Sequence, residues 1–307
     1  MTDVKFMSLD GAIVPAADAR VHILSPSFKY AVNVFEGIRG YWNAEAGELY
    51  LFRLREHVER LRFSMKVLAF DDIHSVEHVE GCILDLIRAN DFREDTYIRL
   101  FAYVDAYDGM MTATGPSGLA IAATPRGRHA AQGMRCGVSS WSRIPDNAMP
   151  PRVKCVANYH HGRLVWLEAK ANGHDGAIIL TTRGKVSEGP GASLMMVRDG
   201  RPITPSLTSD ILESITRDTV IRLLAEDFDR ETEVREVDRT ELYAAEEMFF
   251  CGTALEITPI LSVDKRPVGS GAIGPLVQAL GERFTAVVRG QTADHAAWRT
   301  PVHGQAR

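Results

Sequence analysis

Lys154 stands in Pro150-Pro151-Arg152-Val153-Lys154-Cys155-Val156-Ala157-Asn158-Tyr159, after a Pro- and Asn-containing approach (residues 141–151) and just before a helical pattern. A lysine at a loop–helix junction, with a tyrosine five positions on, can form a Schiff base with a carbonyl. By itself it reads as a solvated surface lysine, as most lysines are. What surrounds it gives the lysine its meaning. Glu188 lies in Lys185-Val186-Ser187-Glu188-Gly189-Pro190-Gly191. A carboxylate beside glycines can approach a ring nitrogen and keep it protonated; the alternative is an exposed turn residue. Leu212-Glu213-Ser214-Ile215-Thr216-Arg217-Asp218 opens a helix. Its first N–H groups and the Thr216 hydroxyl make a phosphate seat, compatible with Ser214 as N-cap. Cys251-Gly252-Thr253-Ala254 is a turn after a buried strand, with a hydroxyl and backbone donors for a phosphate or carboxylate. Arg60, on the flank of a helix, either grips a phosphate or snorkels. These five stretches suit a phosphorylated, aromatic, cationic cofactor.

The elements that must position them follow from periodicity. Residues 53–70 carry Leu54, Val58, Leu61, Met65 and Leu68 on one helical face. Ser75 caps a second helix, which stops near Asn90-Asp91. Residues 97–104 alternate as a strand, with Tyr97, Arg99, Phe101 and Tyr103 on one side and Ile98, Leu100, Ala102 and Val104 on the other. A phenol and a guanidinium side by side can orient a carboxylate. A strand at 119–123 leads into the polar segment Thr124-Pro125-Arg126-Gly127-Arg128-His129. Beyond it the pattern predicts a helix over 158–172, a strand over 177–182, a hairpin about Asp199-Gly200, a helix within 210–227 and a buried strand over 247–250. Strands and helices mix without a regular βαβ repeat, so the fold class is α+β. The division expected is a small domain over 1–124, an interdomain loop over 125–136 and a large cofactor-binding domain over 137–307.

With 307 residues, 45% hydrophobic and 24% charged, the chain is long enough for two cores. A net charge of -5 without a basic block argues against nucleic acid and anionic membrane as partners. No apolar run has transmembrane length. Met1-Thr2-Asp3-Val4-Lys5 lacks a signal-peptide layout, and the four widely spaced cysteines form no CxxC pair. The expectation is a cytoplasmic protein with reduced thiols and no metal site.

On the strings Tyr30 to Arg39 with VFEGIR, His57-Val58-Glu59-Arg60-Leu61, Tyr97-Ile98-Arg99, Lys154 to Tyr159, Ser187-Glu188-Gly189, Ile215-Thr216-Arg217-Asp218 and Gly252 to Pro259, the chain resembles the branched-chain amino acid aminotransferases of the class IV, fold type IV, pyridoxal phosphate enzymes. The likeness runs from about His22 to Trp298. It implies that Lys154 is the Schiff-base lysine and proton shuttle, Tyr159 bonds the cofactor's phenolic oxygen and Glu188 pairs with the pyridine nitrogen. Arg60, Ile215, Thr216 and Thr253 would hold the phosphate, with Leu212 packed on the ring. Tyr30, Phe35, Gly37, Tyr97, Arg99 and Arg126 would line the substrate pocket, and the Thr253 and Ala254 N–H groups would meet the substrate carboxylate. It further implies an L-amino acid donor, 2-oxoglutarate or another 2-oxo acid as acceptor, and a homodimer or higher homo-oligomer in which a loop around Tyr107 to Met111 helps close the partner's pocket. D-amino acid aminotransferase, (R)-amine transaminase and aminodeoxychorismate lyase are rival activities on the same scaffold, and a non-catalytic cofactor-binding protein is a rival of another class.

The chain departs from that pattern at Ala31 and Ser214, where the family has glycine, and at Ser193, where it has asparagine. The expected consequences are a slightly narrower pocket at Ala31, an intact cap at Ser214 and a rearranged hydrogen bond at Ser193. It departs most at Arg126, Arg128 and His129, where bacterial relatives carry aromatic residues. Arginines are poor partners for an aliphatic side chain, which points to a more polar or acidic amino donor; the alternative is that they face solvent.

Overall fold

A computed structural model describes residues 4–127 and 132–304. Arg128 and His129 lie outside the described residues. In chain order the elements are β1 (Phe6–Leu9), β2 (Ala12–Pro15), α1 (Pro26–Tyr30), β3 (Asn33–Asn43), β4 (Glu48–Phe52), α2 (Leu54–Val67), α3 (Val76–Asn90), β5 (Thr96–Val104), β6 (Ser117–Pro125), β7 (Met134–Ser142), α4 (Val156–Ala171), β8 (Gly176–Leu180), β9 (Ser193–Arg198), β10 (Arg201–Pro205), α5 (Ile215–Phe228), β11 (Glu233–Arg235), β12 (Glu247–Gly252), β13 (Glu256–Val263), β14 (Arg266–Pro267), α6 (Pro275–Val288) and β15 (Arg299–Pro301). The architecture is α+β. Among the described residues no helix is long and apolar enough to cross a membrane.

The chain forms two compact units. It leaves the first at Arg128, inside the 125–136 segment, and returns to it twice, at Val153–Val156 and at Ala286–Arg307. The first unit is built on an antiparallel sheet of order β15-β4-β3-β5-β6-β1-β2. The alternation read in β5 holds: Ile98, Leu100, Ala102 and Val104 are fully buried, while Arg99 on the other face is exposed. Helix α2 covers the buried face with Leu54, Val58, Leu61 and Met65, each contributing about 1.5–3 kcal/mol by leaving water. The helix is shorter than residues 53–70 because Arg53 and Ala69 adopt left-handed backbone, with φ of 49° and 56°. Ser75 caps α3 by accepting the His78 N–H, as expected.

Two features of this unit go beyond the sequence reading. Ala31 caps α1 in the left-handed region, φ 56°. A β-carbon in that region costs roughly 1–2 kcal/mol, a backbone effect that the sequence reading did not include. The C-terminal tail, given no role by sequence, closes a sheet edge. β15 pairs with β4, and buried Glu48 accepts the N–H groups of Val302, His303 and Gly304 at 3.0, 2.9 and 2.9 Å.

The second unit holds a mixed sheet of order β11-β10-β9-β12-β13-β7-β8, with β14 added to β13. Its core includes Ile178, Leu194, Met196, Ile203, Phe250 and Ile260. Asp199 and Gly200 both have positive φ, 51° and 69°, which is the primed turn that joins β9 to β10. β12 and β13 form a second hairpin, whose turn is Thr253-Ala254-Leu255.

Candidate active site

In the first unit the backbone of Lys154 is held from both sides. Its carbonyl accepts the Phe35 N–H at 2.9 Å, and its N–H donates to Ser64 Oγ at 3.1 Å. Val34 and Cys155 complete an antiparallel bridge. With the main chain fixed, only side-chain torsions remain to the amine, whose Nζ lies 4.7 Å from the centre of the Phe35 ring. The lysine stands two residues before α4, at the loop–helix junction read from sequence.

The register of β3 on β5 sets the remaining residues of this half. Phe35 opposes Phe101, Gly37 opposes Arg99, and Arg39 opposes Tyr97. Tyr97 lies over Gly37 so closely that a β-carbon at position 37 would overlap its hydroxyl; only glycine admits that approach. Arg99 Cζ is 5.6 Å from the Tyr97 ring and 5.8 Å from the Phe35 ring, and Arg126 Cζ is 5.0 Å from Tyr97. Arg126 is thus both exposed and stacked. Its backbone is fixed: its N–H donates to the Asp95 carbonyl at 2.7 Å, and buried Arg39 donates to the carbonyls of Arg126 and Gly127 at 3.3 and 3.1 Å. Tyr30 ends α1, is 42% exposed and has Lys29 Nζ 5.4 Å from its ring.

Arg60 lies on the opposite, helix-covered side of β3. Its Nε and Nη2 donate to the two oxygens of Glu36 at 2.7 and 2.8 Å, and His57 Nδ1 is 2.8 Å from the same carboxylate. Burial pushes the Glu36 carboxyl up, but Arg60 first and His57 second outweigh it and hold the group far below its ordinary value. Burial holds His57 below its own ordinary value against the pull of Glu36. A neutral imidazole donating Nδ1–H to an ionised carboxylate satisfies both. Helix α2 therefore presents His57, Arg60 and Ser64 along one side, spaced by three and four residues.

In the second unit Glu188 is buried and ion-paired with Arg143 Nη2 at 2.9 Å. The Leu212 N–H faces both carboxylate oxygens at 3.3 and 3.4 Å. Arg143 Nε and Ser187 Oγ both donate to the Asp210 carbonyl, at 3.1 and 3.3 Å. These bonds tie the Glu188 turn to the segment entering α5. There Ser214 accepts the Arg217 N–H, and Ile215 and Thr216 are the first two helical residues, both buried. Arg217 turns away to Thr204 and Pro205. Gly252, just before the Thr253-Ala254 turn, approaches Ala192 and the Gly191 carbonyl. At Gly162, α4 packs so closely that a β-carbon would lie 2.8 Å from the Pro190 carbonyl oxygen. Tyr159, three residues earlier, is on that side of α4. The fold thus ties the Glu188 turn to Leu212 and the entry of α5, and the Gly252 end of the Thr253-Ala254 turn to Gly191 and Ala192. Ser193 Oγ beside them is buried with no hydrogen-bond partner among the described residues.

Sequence reasoning missed Arg143, Ser64, Glu36 and His57. The alternation of β3 could have found Glu36, because a residue between Phe35 and Gly37 must face the helices. No local signal marks Arg143. Arg143 and Glu188 are exposed by only 7% and 6%. Replacing Arg143 by Met strands a buried carboxylate and is expected to lower the unfolding free energy by about 3–5 kcal/mol. Adding Glu188→Met should restore most of that. Urea unfolding of the single and double variants measures both; an equal loss in the two would remove the ion pair from the account.

Comparison with known proteins gives this geometry its context. The family described as "Amino-transferase class IV" matches residues 33–263. A probable branched-chain-amino-acid aminotransferase of Aquifex aeolicus is 38% identical over 301 residues, covering 97% of each chain. The branched-chain-amino-acid aminotransferase of Escherichia coli strain K12 is 36% identical over 307 residues, covering 97% of each. Among solved structures, the branched-chain amino acid aminotransferase of Thermobaculum terrenum in its PLP form superposes with a TM-score of 0.93 at 41% identity, covering 98% of this chain and 99% of that one. The branched-chain aminotransferase of the archaeon Thermoproteus uzoniensis with norvaline gives 0.92 at 41%, covering 97% and 99%. The architecture is therefore that of fold type IV, and the chain belongs to the class IV aminotransferase family.

Proposed function

We propose that this protein is a branched-chain-amino-acid aminotransferase working with pyridoxal 5'-phosphate. The observation that carries the reading is Lys154, an amine on a main chain fixed from both sides, 4.7 Å from Phe35 on the sheet face that also bears Tyr97 and Arg99. Class IV aminotransferases use pyridoxal phosphate. The donor set fits it: an amine for the aldehyde, the N-terminus of α5 and the Thr253 turn for a phosphate, and a buried carboxylate for a protonated ring nitrogen. When bound, the cofactor supplies an aldehyde that condenses with amines and a ring that takes up carbanion charge.

We assign Lys154 as the residue that would hold the cofactor through its aldehyde, and its Nζ as the group that would carry the proton from the donor's α-carbon to the cofactor carbon. Glu188, paired with Arg143, holds a proton on the ring nitrogen. Tyr159 donates to the phenolic oxygen. Arg60, Ile215, Thr216 and Thr253 bind the phosphate, and Leu212 packs on the ring. Phe35, Gly37, Tyr97 and Arg99, with Tyr30, form the side-chain pocket, and the Thr253 and Ala254 N–H groups orient the substrate carboxylate. The substrates are an L-amino acid and a 2-oxo acid taken in turn. Lys154→Ala is expected to abolish transamination and the visible absorbance of lysine-bound cofactor, and the intact enzyme to show parallel double-reciprocal plots. Sustained turnover by the variant would refute the assignment.

Arg99 and Arg126, both stacked on Tyr97, favour an acidic side chain as one of the two substrates. We expect Arg126→Gln to lower kcat/KM for glutamate about 3–10-fold, in line with the loss of one charged, exposed contact, and to change leucine far less. Comparing leucine, glutamate and phenylalanine in both proteins decides; a wide leucine advantage in the intact enzyme, untouched by the variant, sinks the idea.

The assembly we infer is a homodimer. Phe28, Tyr107, Met110 and Met111 are 73%, 76%, 68% and 65% exposed. Their segments are joined by the Lys29–Asp108 ion pair at 3.1 Å and the close approach of Gly109 to Pro26. An apolar patch of this kind is covered in most proteins. Light scattering should give twice the chain mass, and Met110→Glu with Met111→Glu about once; a monomeric intact protein would end this reading. The four buried cysteines accord with the cytoplasmic location we assign.

A further inference from the structure

The buried carboxylate of Glu36 has no part in the roles assigned above. It is completely enclosed, yet ionised, and it takes two nitrogens of a single guanidinium that is 12% exposed. We propose that Glu36, backed by His57, is a positioning residue that sets Arg60 in the orientation that grips the cofactor phosphate. The proposal rests on the assignment of Arg60 to the phosphate.

The argument is one of preorganisation. A mobile arginine side chain carries considerable rotamer entropy, part of which is lost when it closes on an anion. A two-point contact to a buried carboxylate removes that freedom beforehand and fixes the plane of the fork. Glu36 is itself fixed, because it pairs with Leu100 of β5 and follows Phe35, whose N–H is held by the Lys154 carbonyl. His57 holds its second oxygen from α2, one turn before Arg60. The choice of a neutral histidine matters. A second cation would draw the carboxylate away from Arg60 and repel the Lys154 amine, whose charge already disfavours protonation of His57. Glu36 also carries an electrostatic cost, since its charge opposes an incoming phosphate. It therefore helps only through Arg60, and that dependence makes the idea testable.

The test is the dissociation constant of pyridoxal 5'-phosphate and of pyridoxal, which lacks the phosphate, from the full-length protein, read by cofactor absorbance after dialysis. Glu36→Gln should weaken pyridoxal phosphate about 10-fold and leave pyridoxal within about twofold, a loss of about 1.4 kcal/mol confined to the phosphate. Arg60→Met should weaken pyridoxal phosphate at least as much, and adding Glu36→Gln to it should cause no further loss. Equal weakening of both ligands by Glu36→Gln, or none, overturns the proposal. An Arg60→Met protein with unchanged pyridoxal phosphate affinity instead overturns the assignment of Arg60. If Glu36→Gln does not fold, Glu36→Asp, which keeps the charge but shortens its reach, must show the same split between the two ligands, and its absence counts equally against the idea.

Discussion

The hydrogen bond from the Phe35 N–H to the Lys154 carbonyl is the constraint on which the proposed chemistry depends. It joins a residue near the start of the chain to one more than a hundred positions later, and it does so through main-chain atoms. A side-chain contact would leave the lysine backbone free to shift as the amine bonds and releases its partners. A strand-like clip does not. The second clip, from the Lys154 N–H to Ser64 Oγ, uses a hydroxyl that is itself fully buried. Movement is thereby confined to the four-carbon side chain, the part that must move if one amine both bonds a carbonyl and carries a proton.

The same strand does a second job on its other face. In β3 successive residues point to opposite sides. Phe35 faces the lysine nitrogen, and Glu36, next in the chain, faces α2. A shift of one residue in the register of β3 on β5 would exchange these faces, placing a carboxylate beside the amine and a phenyl ring beside Arg60. The register is held by buried Val34 and Ile38 and by Tyr97 lying on Gly37. The second unit obeys a parallel rule. Its buried carboxylate, Glu188, is likewise matched by an arginine, and the partner groups are tied to one carbonyl, that of Asp210. In both units a buried carboxylate is offset by a guanidinium group that comes from a distant part of the sequence.

What could be read from the sequence follows from this. Periodicity sufficed for α2, α3 and β5, because one face of each is apolar at a fixed spacing. Turn chemistry sufficed for Asp199-Gly200, where both residues need positive φ. Cap chemistry sufficed for Ser75 and Ser214. Interactions that are polar and non-local left no such trace. Arg143 looks like any other arginine in a strand end, and its partner lies 45 positions away by difference of residue numbers (188 − 143). The tail beyond Gly290 carries no periodic pattern, because it is anchored by single residues, buried Trp298 and Val302 and the Glu48 carboxylate that accepts its N–H groups. Ala31 carries a further effect that residue type alone does not show, since it caps a helix in the left-handed region.

The stacked arginines bear on how one face serves two unlike side chains. A transaminase of the proposed kind meets an aliphatic and an acidic side chain in turn, and each is a poor fit to a surface built for the other. An arginine locked in an ion pair would keep fewer donors for a substrate. Arg99 and Arg126 are held instead against the ring of Tyr97, with Arg99 also near Phe35. Stacking fixes a guanidinium by its flat face and leaves its edge directed outward, since the cation–π contact uses the plane and hydrogen bonds use the rim. Ring area then remains for an aliphatic chain, and donors remain for a carboxylate, without rearrangement of the sheet. The arrangement needs the hydroxyl end of Tyr97 to come close to β3, and that is possible because position 37 has no side chain. Dual specificity of this face would then originate in a glycine, at the one point where the strand must let a phenol pass over it.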